Sequence, residues 1–185
     1  MRLFVGLSLL LVCLASTGVM AGESFSPVEI EFVYQPQSGF ASNQIALWVE
    51  DSSGKVARTL MVTAFTAGRG GWKIRENSVP LWVSRSGVAG MSRPEIDAIS
   101  SATPPGGQVR VVWDGLDNRG KFLPAGNYRL LLEATLRDSA RVLFQASLSL
   151  GGQEKGGKRE IRPQPEYTDP GVPERNMINE VVIRY

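Results

Sequence analysis

The chain has 185 residues with 20 basic against 18 acidic side chains, one cysteine and no histidine. Without histidine, Ser-His-Asp and Cys-His catalysis, His-ligated zinc, iron or haem, and imidazole proton shuttling are excluded. The near-balance of charge leaves no overall field to attract nucleic acid or an anionic membrane.

At the start, Arg2 precedes an apolar run from Leu3 to Leu14, then small residues ending in Val19-Met20-Ala21. The pattern predicts a signal peptide over residues 1–21, since the run is shorter than the roughly 18 to 20 residues of a membrane-spanning helix. Export to the periplasm or another extracytoplasmic space is expected, with no stable membrane insertion after cleavage. The alternative is a lipoprotein modified on Cys13, although Val12 is a poor residue before a lipidated cysteine. Cleavage after Ala21 removes the only cysteine, so no disulfide or thiolate chemistry is open to residues 22–185. That length suits one domain with a sizeable core.

Val28, Ile30, Phe32 and Tyr34 alternate with Glu29, Glu31 and Val33, the period-two pattern of a strand with one buried face. Gln44 to Glu50 and Val56 to Phe65 flank Asp51-Ser52-Ser53-Gly54 and read as a β-hairpin. Gly68-Arg69-Gly70-Gly71 and the following Trp72, Pro80, Leu81 and Trp82 predict irregular structure with a short helical turn. Ser92-Arg93-Pro94-Glu95 has the form of a capping box and predicts a short helix from Arg93 to Ile99. Gln108 to Trp113 reads as a strand, and Tyr128 to Leu136 with Arg141 to Leu150 as a second hairpin turning at Asp138-Ser139. Gly151 to Met177, rich in Gly, Pro and charge, predicts a long loop, with Lys155, Lys158, Arg159 and Arg162 solvated in it. Ile178 to Tyr185 closes the chain as a strand. About seven short strands with little helix predict an all-β, immunoglobulin-like antiparallel sandwich with one or two short helices in the middle.

The run Trp113-Asp114-Gly115-Leu116-Asp117-Asn118-Arg119-Gly120, followed by Pro124-Ala125-Gly126-Asn127-Tyr128, is dense in turn formers. Asp114 and Asp117 raise the question of calcium, but the oxygen-ligand spacing and terminal glutamate of a calcium loop are missing, so a structural turn is the expectation. No metal site and no catalytic set is predicted. The run resembles the immunoglobulin-like domain at the end of flagellar-hook capping proteins, which implies a fold and no function.

Asp97-Ala98-Ile99-Ser100-Ser101-Ala102-Thr103 runs from the predicted helix into Pro104-Pro105-Gly106-Gly107. By composition alone it is a polar helix exit. It also resembles the acceptor motif of bacterial flavin transferases, to which Asp97, Ser100, Ser101, Ala102 and Thr103 all conform; Ser101 stands where glycine is commoner. The resemblance implies that the Thr103 hydroxyl is joined through a phosphoester to flavin mononucleotide (FMN), taken from flavin adenine dinucleotide with magnesium present. The order of hairpin, Trp-containing middle, acceptor-like loop, Trp-Asp-Gly turn and closing strand further resembles the predicted periplasmic domain-of-unknown-function family 2271. Genes of that family often accompany flavin transferases and membrane redox proteins, which are therefore the implied partners.

The resulting expectation is an exported flavin-carrying electron-transfer protein, a redox carrier more than a stand-alone enzyme. Trp72, Trp82 and Trp113 are candidates to stack on the flavin ring, and Arg93 or Arg110 to neutralise its phosphate. The alternative is an unmodified sandwich that binds or scaffolds a partner. A glycosidase with paired carboxylates is a third reading, with no spacing that singles out a pair.

Overall fold

The structure is a computed structural model and describes residues 26–38, 42–136, 140–151, 159–168 and 176–185. The expected signal peptide, Cys13, the Asp138-Ser139 turn, Lys155 and Lys158 lie outside the described residues.

The chain forms an all-β sandwich. Four strands, β1 (Val28–Tyr34), β5 (Gly107–Trp113), β8 (Glu160–Ile161) and β10 (Ile178–Arg184), make one sheet in the order β5-β1-β10-β8. Six make the other in the order β4-β3-β2-β6-β7-β9: β2 (Gln44–Glu50), β3 (Val56–Thr63), β4 (Ser100–Ser101), β6 (Gly126–Thr135), β7 (Arg141–Leu150) and β9 (Pro165–Tyr167). The pairs are antiparallel except β3 with β4, which is parallel. Both expected hairpins, β2–β3 and β6–β7, are formed.

Period-two alternation explains the core. Val28, Ile30, Phe32 and Tyr34 of β1 meet Ile45, Leu47 and Val49 of β2 and Leu130 and Leu132 of β6, all at most 1% exposed. Each such burial contributes about 1.5–3 kcal/mol before entropy is counted. Trp113, at the end of β5, sits in the same core. At the mouth of β6 the Tyr128 hydroxyl donates to the Pro124 carbonyl at 2.8 Å. This tie is typical of the corners of immunoglobulin-like sandwiches.

The six-stranded sheet is covered on its other face as well. Between β3 and β5 the chain makes α1 (Gly71–Ile74), α2 (Pro80–Ser86), a 3-10 turn at Val88–Gly90 and α3 (Arg93–Ile99). Ala67, Val79, Trp82, Val88 and Ile99 from this segment bury Ala46, Trp48, Val62, Leu131 and Leu143 of the sheet. Every residue of β2 is consequently buried. The layer reaches over polar side chains too. Glu133, fully buried, accepts hydrogen bonds from the Leu81 and Trp82 amides at the start of α2 (3.2 and 3.0 Å) and from Arg141 Nε (2.6 Å). Glu50, also fully buried, accepts from Trp48 Nε1 (2.8 Å), Arg85 in α2 (2.7 Å) and Arg129 (2.9 Å).

The stretch from Gly151 to Met177, expected to be one long loop, is more ordered than that. Its described residues include β8, paired with β10, and β9, paired with β7. Glu160 binds both Arg162 and Arg184, which fixes β8 beside the closing strand. Arg159 is exposed, as expected, while its backbone pairs with Tyr185 (2.7 and 3.0 Å). Because β8 and β9 are consecutive and end different sheets, they close one side of the sandwich.

Candidate functional site around Thr103

The opposite side is where the chain crosses from β4, at the edge of the six-stranded sheet, to β5, at the edge of the four-stranded one. Thr103 lies on this crossover, residues 102–106. The helix α3 begins as its sequence predicts: the Glu95 carboxylate accepts from the Ser92 amide (2.8 Å) and hydroxyl (2.6 Å). Those bonds, the hydroxyl's first, hold the Glu95 carboxyl below its ordinary pKa. Asp97 is exposed and forms a long ion pair with Arg93, one turn away, at 3.7 Å. Such exposed pairs contribute little stability.

The helix ends at Ile99, the buried residue that pins it to the sheet. Ser100 turns the chain outward: its hydroxyl donates back to Ile96 O at 2.8 Å, as its amide also does. Ser100 and Ser101 then pair with Val62 and Thr63 of β3, and Ser101 O accepts from Ala64 N at 2.8 Å. Beyond this ordered edge, Ala102 and Thr103 are exposed and make no hydrogen bond among the described residues. Pro104 and Pro105 follow. At the far end, a Cβ on Gly106 would approach Pro36 Cδ to 2.8 Å, and Gly107 has φ +111°, so both positions require glycine. The structure thus places Asp97, Ser100, Ser101, Ala102 and Thr103 in one continuous segment. Its first part is tied down and its last two residues are not.

Of the three tryptophans expected beside a flavin, two are ruled out by position. Trp82 is 0% exposed, under the helical layer with Nε1 on Thr59 Oγ1 (3.2 Å), and Trp113 is 1% exposed in the inter-sheet core with Nε1 on Leu116 O (2.9 Å). Their large apolar surfaces were needed for packing, and neither has a face to offer a ligand. Trp72 is half-buried, with the Lys73 ammonium 5.1 Å from its ring centre. Arg110 is committed to Glu29 (3.0 Å) and Glu31 (3.8 Å) on the four-stranded sheet. Arg93 is exposed beside Asp97.

The Trp-Asp-Gly run is a turn whose carboxylates are already used. Asp114 Oδ1 accepts from Leu116 N at 3.1 Å, and Asp117 Oδ1 from the Arg119 and Lys121 amides at 2.8 and 2.9 Å. The amide bonds, Lys121's first, keep the Asp117 carboxyl below its ordinary pKa. Asn118 of this turn docks on the start of β3, donating N–H to Ala57 O (3.2 Å) and accepting Thr59 N–H on Oδ1 (3.0 Å). It therefore caps the half of the β3 edge that β4 leaves uncovered. No group of three or more metal-ligating side chains occurs among the described residues.

Apart from Trp72, sequence reasoning gave no role to the residues of the loop that abuts β4. Ala64 to Arg75 interleaves Phe65, Arg69, Trp72, Lys73 and Arg75 with three glycines and two alanines. The Arg75 guanidinium lies 5.2 Å from the Phe65 ring centre and donates to Ser78 Oγ (2.7 Å) and Ser42 O (2.8 Å). Burial lowers its pKa from the ordinary arginine value. The signal that could have found this loop is the alternation of aromatic and basic residues without an acidic one.

A family model described as predicted periplasmic protein (DUF2271) matches residues 26–168. The chain belongs to that family. The match covers the six-stranded sheet, the helical layer, the Thr103 crossover and every strand of the four-stranded sheet except β10 of this periplasmic protein. No curated protein and no solved structure matches it. Among the described residues, no helix is long and apolar enough to cross a membrane.

Proposed function

We propose that this periplasmic sandwich is an electron carrier bearing FMN on Thr103 through a phosphoester, loaded by a flavin transferase and exchanging electrons with a membrane redox protein. The observation that carries the reading is the condition of the acceptor-like segment. Asp97 to Ser101 is held by α3 and β4, while Ala102 and Thr103 project from the sheet edge, exposed and without hydrogen-bond partners among the described residues. A transferase must reach the hydroxyl oxygen from outside, and a small neighbour such as Ala102 leaves that approach open.

In the loading step the Thr103 oxygen attacks the flavin-side phosphorus of flavin adenine dinucleotide. One P–O bond forms, the pyrophosphate P–O bond breaks with its electron pair leaving on AMP, and the hydroxyl proton passes to a base of the transferase. No electron is transferred at this stage. Once bound, the flavin supplies the redox chemistry that a chain without histidine, and without cysteine after residue 13, has few other means to host. What the chain contributes is an exposed hydroxyl two positions beyond an ordered sheet edge.

The test is intact-mass spectrometry with in-gel flavin fluorescence on protein exported by a host co-expressing a flavin transferase, beside Thr103→Ala. The wild-type protein is expected to gain one FMN phosphoester and the variant none. An unmodified wild-type mass beside an active transferase would overturn the reading. The alternative, an unmodified binding or scaffold module, is favoured by one feature: among the described residues β5 is paired on one side only, which leaves its other edge for a partner strand.

A further inference from the structure

We propose that the loop formed by residues 64–75 is the resting surface for the group carried on Thr103: Trp72 and Phe65 receive a planar aromatic ring, and Arg69 and Lys73 its phosphate. The inference rests on the Thr103 reading above and adds to it where the attached group lies. It replaces Trp82, Trp113, Arg93 and Arg110, which the fold has buried, paired or placed elsewhere.

Contiguity is the first argument. Ala64 N donates to Ser101 O at 2.8 Å, and a Cβ added to Gly68 would come within 3.1 Å of Ser100 Oγ. The loop therefore lies against the strand that delivers Thr103. Two chain steps join Ser101 to Thr103, a reach of at most about 7 Å. A phosphate and a flexible chain of several bonds would add further reach to a ring tethered there.

Chemistry is the second. A phosphoester on Thr103 retains a negative charge, and residues 64–75 carry Arg69, Lys73 and Arg75 with no acidic side chain. The three cations are not equivalent. Arg75 is engaged by Ser78, Ser42 and the Phe65 ring, which makes it a strut of the loop. Arg69 and Lys73 are exposed and have no acidic partner among the described residues. Cations beside an aromatic face suit a ligand that joins a ring to an anion, because the ring stacks while the ammonium or guanidinium meets the phosphate. Trp72 is the tryptophan that the packing leaves only half-buried.

The test compares wild type, Trp72→Ala, Trp72→Phe and the exposed double variant Arg69→Glu/Lys73→Glu, all exported from the transferase-bearing host. Intact mass gives flavin per chain, and flavin fluorescence yield and anisotropy report whether the ring is docked. With loading equal by mass, Trp72→Ala is expected to lower the docked-to-free ratio roughly tenfold, seen as brighter, less polarised emission, with Trp72→Phe intermediate. The double variant is expected to show the same release, and wild type to approach it at high salt. Loaded variants with the fluorescence and anisotropy of wild type would overturn this inference while leaving Thr103 as the attachment point. Absence of any flavin mass on wild type would overturn both, so the two failures are distinguishable. Because the double variant alters only exposed residues, its result stands even if Trp72→Ala fails to fold.

Discussion

The two faces of the six-stranded sheet are held by different physics. On the inner face, β2 and β6 present Ile45, Leu47, Val49, Leu130 and Leu132 to the opposing sheet, and nothing directional is involved. On the outer face the same two strands present Trp48, Glu50, Leu131 and Glu133, and the carboxylates bind α2 at both ends: Glu133 the amides at its start, Glu50 the Arg85 guanidinium at its finish. Apolar burial sets the sandwich; charge-assisted hydrogen bonds set where the helical layer lies upon it. The acceptor segment and the 64–75 loop both belong to that layer, so their placement depends on the directional half of the molecule.

Glu133→Ala tests this most severely. It removes a fully buried carboxylate from three donors and leaves Arg141 without its partner, and it is expected to cost about 3–5 kcal/mol. Denaturant melts would give the loss, and hydrogen exchange should show it concentrated in Pro80–Ser86. Leu132→Ala, one residue along and facing the other way, is expected to cost about 2–5 kcal/mol. Its signature is different: protection should fall across both sheets together. If both variants loosened the same amides, the division between the two faces would be wrong.

Smaller perturbations sharpen the picture near Thr103. Ser92→Ala removes the hydroxyl that binds Glu95 and is expected to cost about 1 kcal/mol, with fraying confined to Arg93–Ile99 by amide NMR. The pH dependence follows from the same bonds. The carboxyl pKa values of Glu95, Asp51 and Asp117 are lowered on folding, by the Ser92, Ser53 and Lys121 hydrogen bonds first in each case. Their contribution is thus present above the unfolded-state value and disappears as pH falls through the lower folded one. Acidification should loosen the Asp51 and Asp117 turns and the α3 start before it unsettles the core, which carboxyl-resolved NMR titration would follow.

What the sequence disclosed was whatever is decided locally. The alternation in Val28–Tyr34, the two hairpins and the capping box at Ser92 are properties of neighbouring residues, and the strands and helix appear where these signals lie. The helix Pro80–Ser86 was legible only as a helical turn, because its start is satisfied by Glu133 and Thr135 from a strand some fifty residues away. Its preceding residue Val79 takes φ +43°, an unusual conformation for a β-branched side chain that no propensity suggests. β8 and β9 escaped notice for a related reason: at two and three residues they exist only through the strands they pair with. At the candidate site, the polar helix exit was legible in the composition, and Ala102 and Thr103 are exposed in it. The fate of the tryptophans did not follow from their spacing, since burial is settled by what folds over them.

The crossover through Thr103 has a further consequence. Six chain steps join Ser101 to Gly107, enough for about 20 Å when extended, whereas packed sheets stand only about 10 Å apart. The connection therefore carries slack. Its middle can bow outward into an enzyme's cleft while Ser101 stays hydrogen-bonded to β3 and Gly107 to β1. The modification proposed for Thr103 would therefore not have to precede folding, and an enzyme in the chain's final compartment could carry it out.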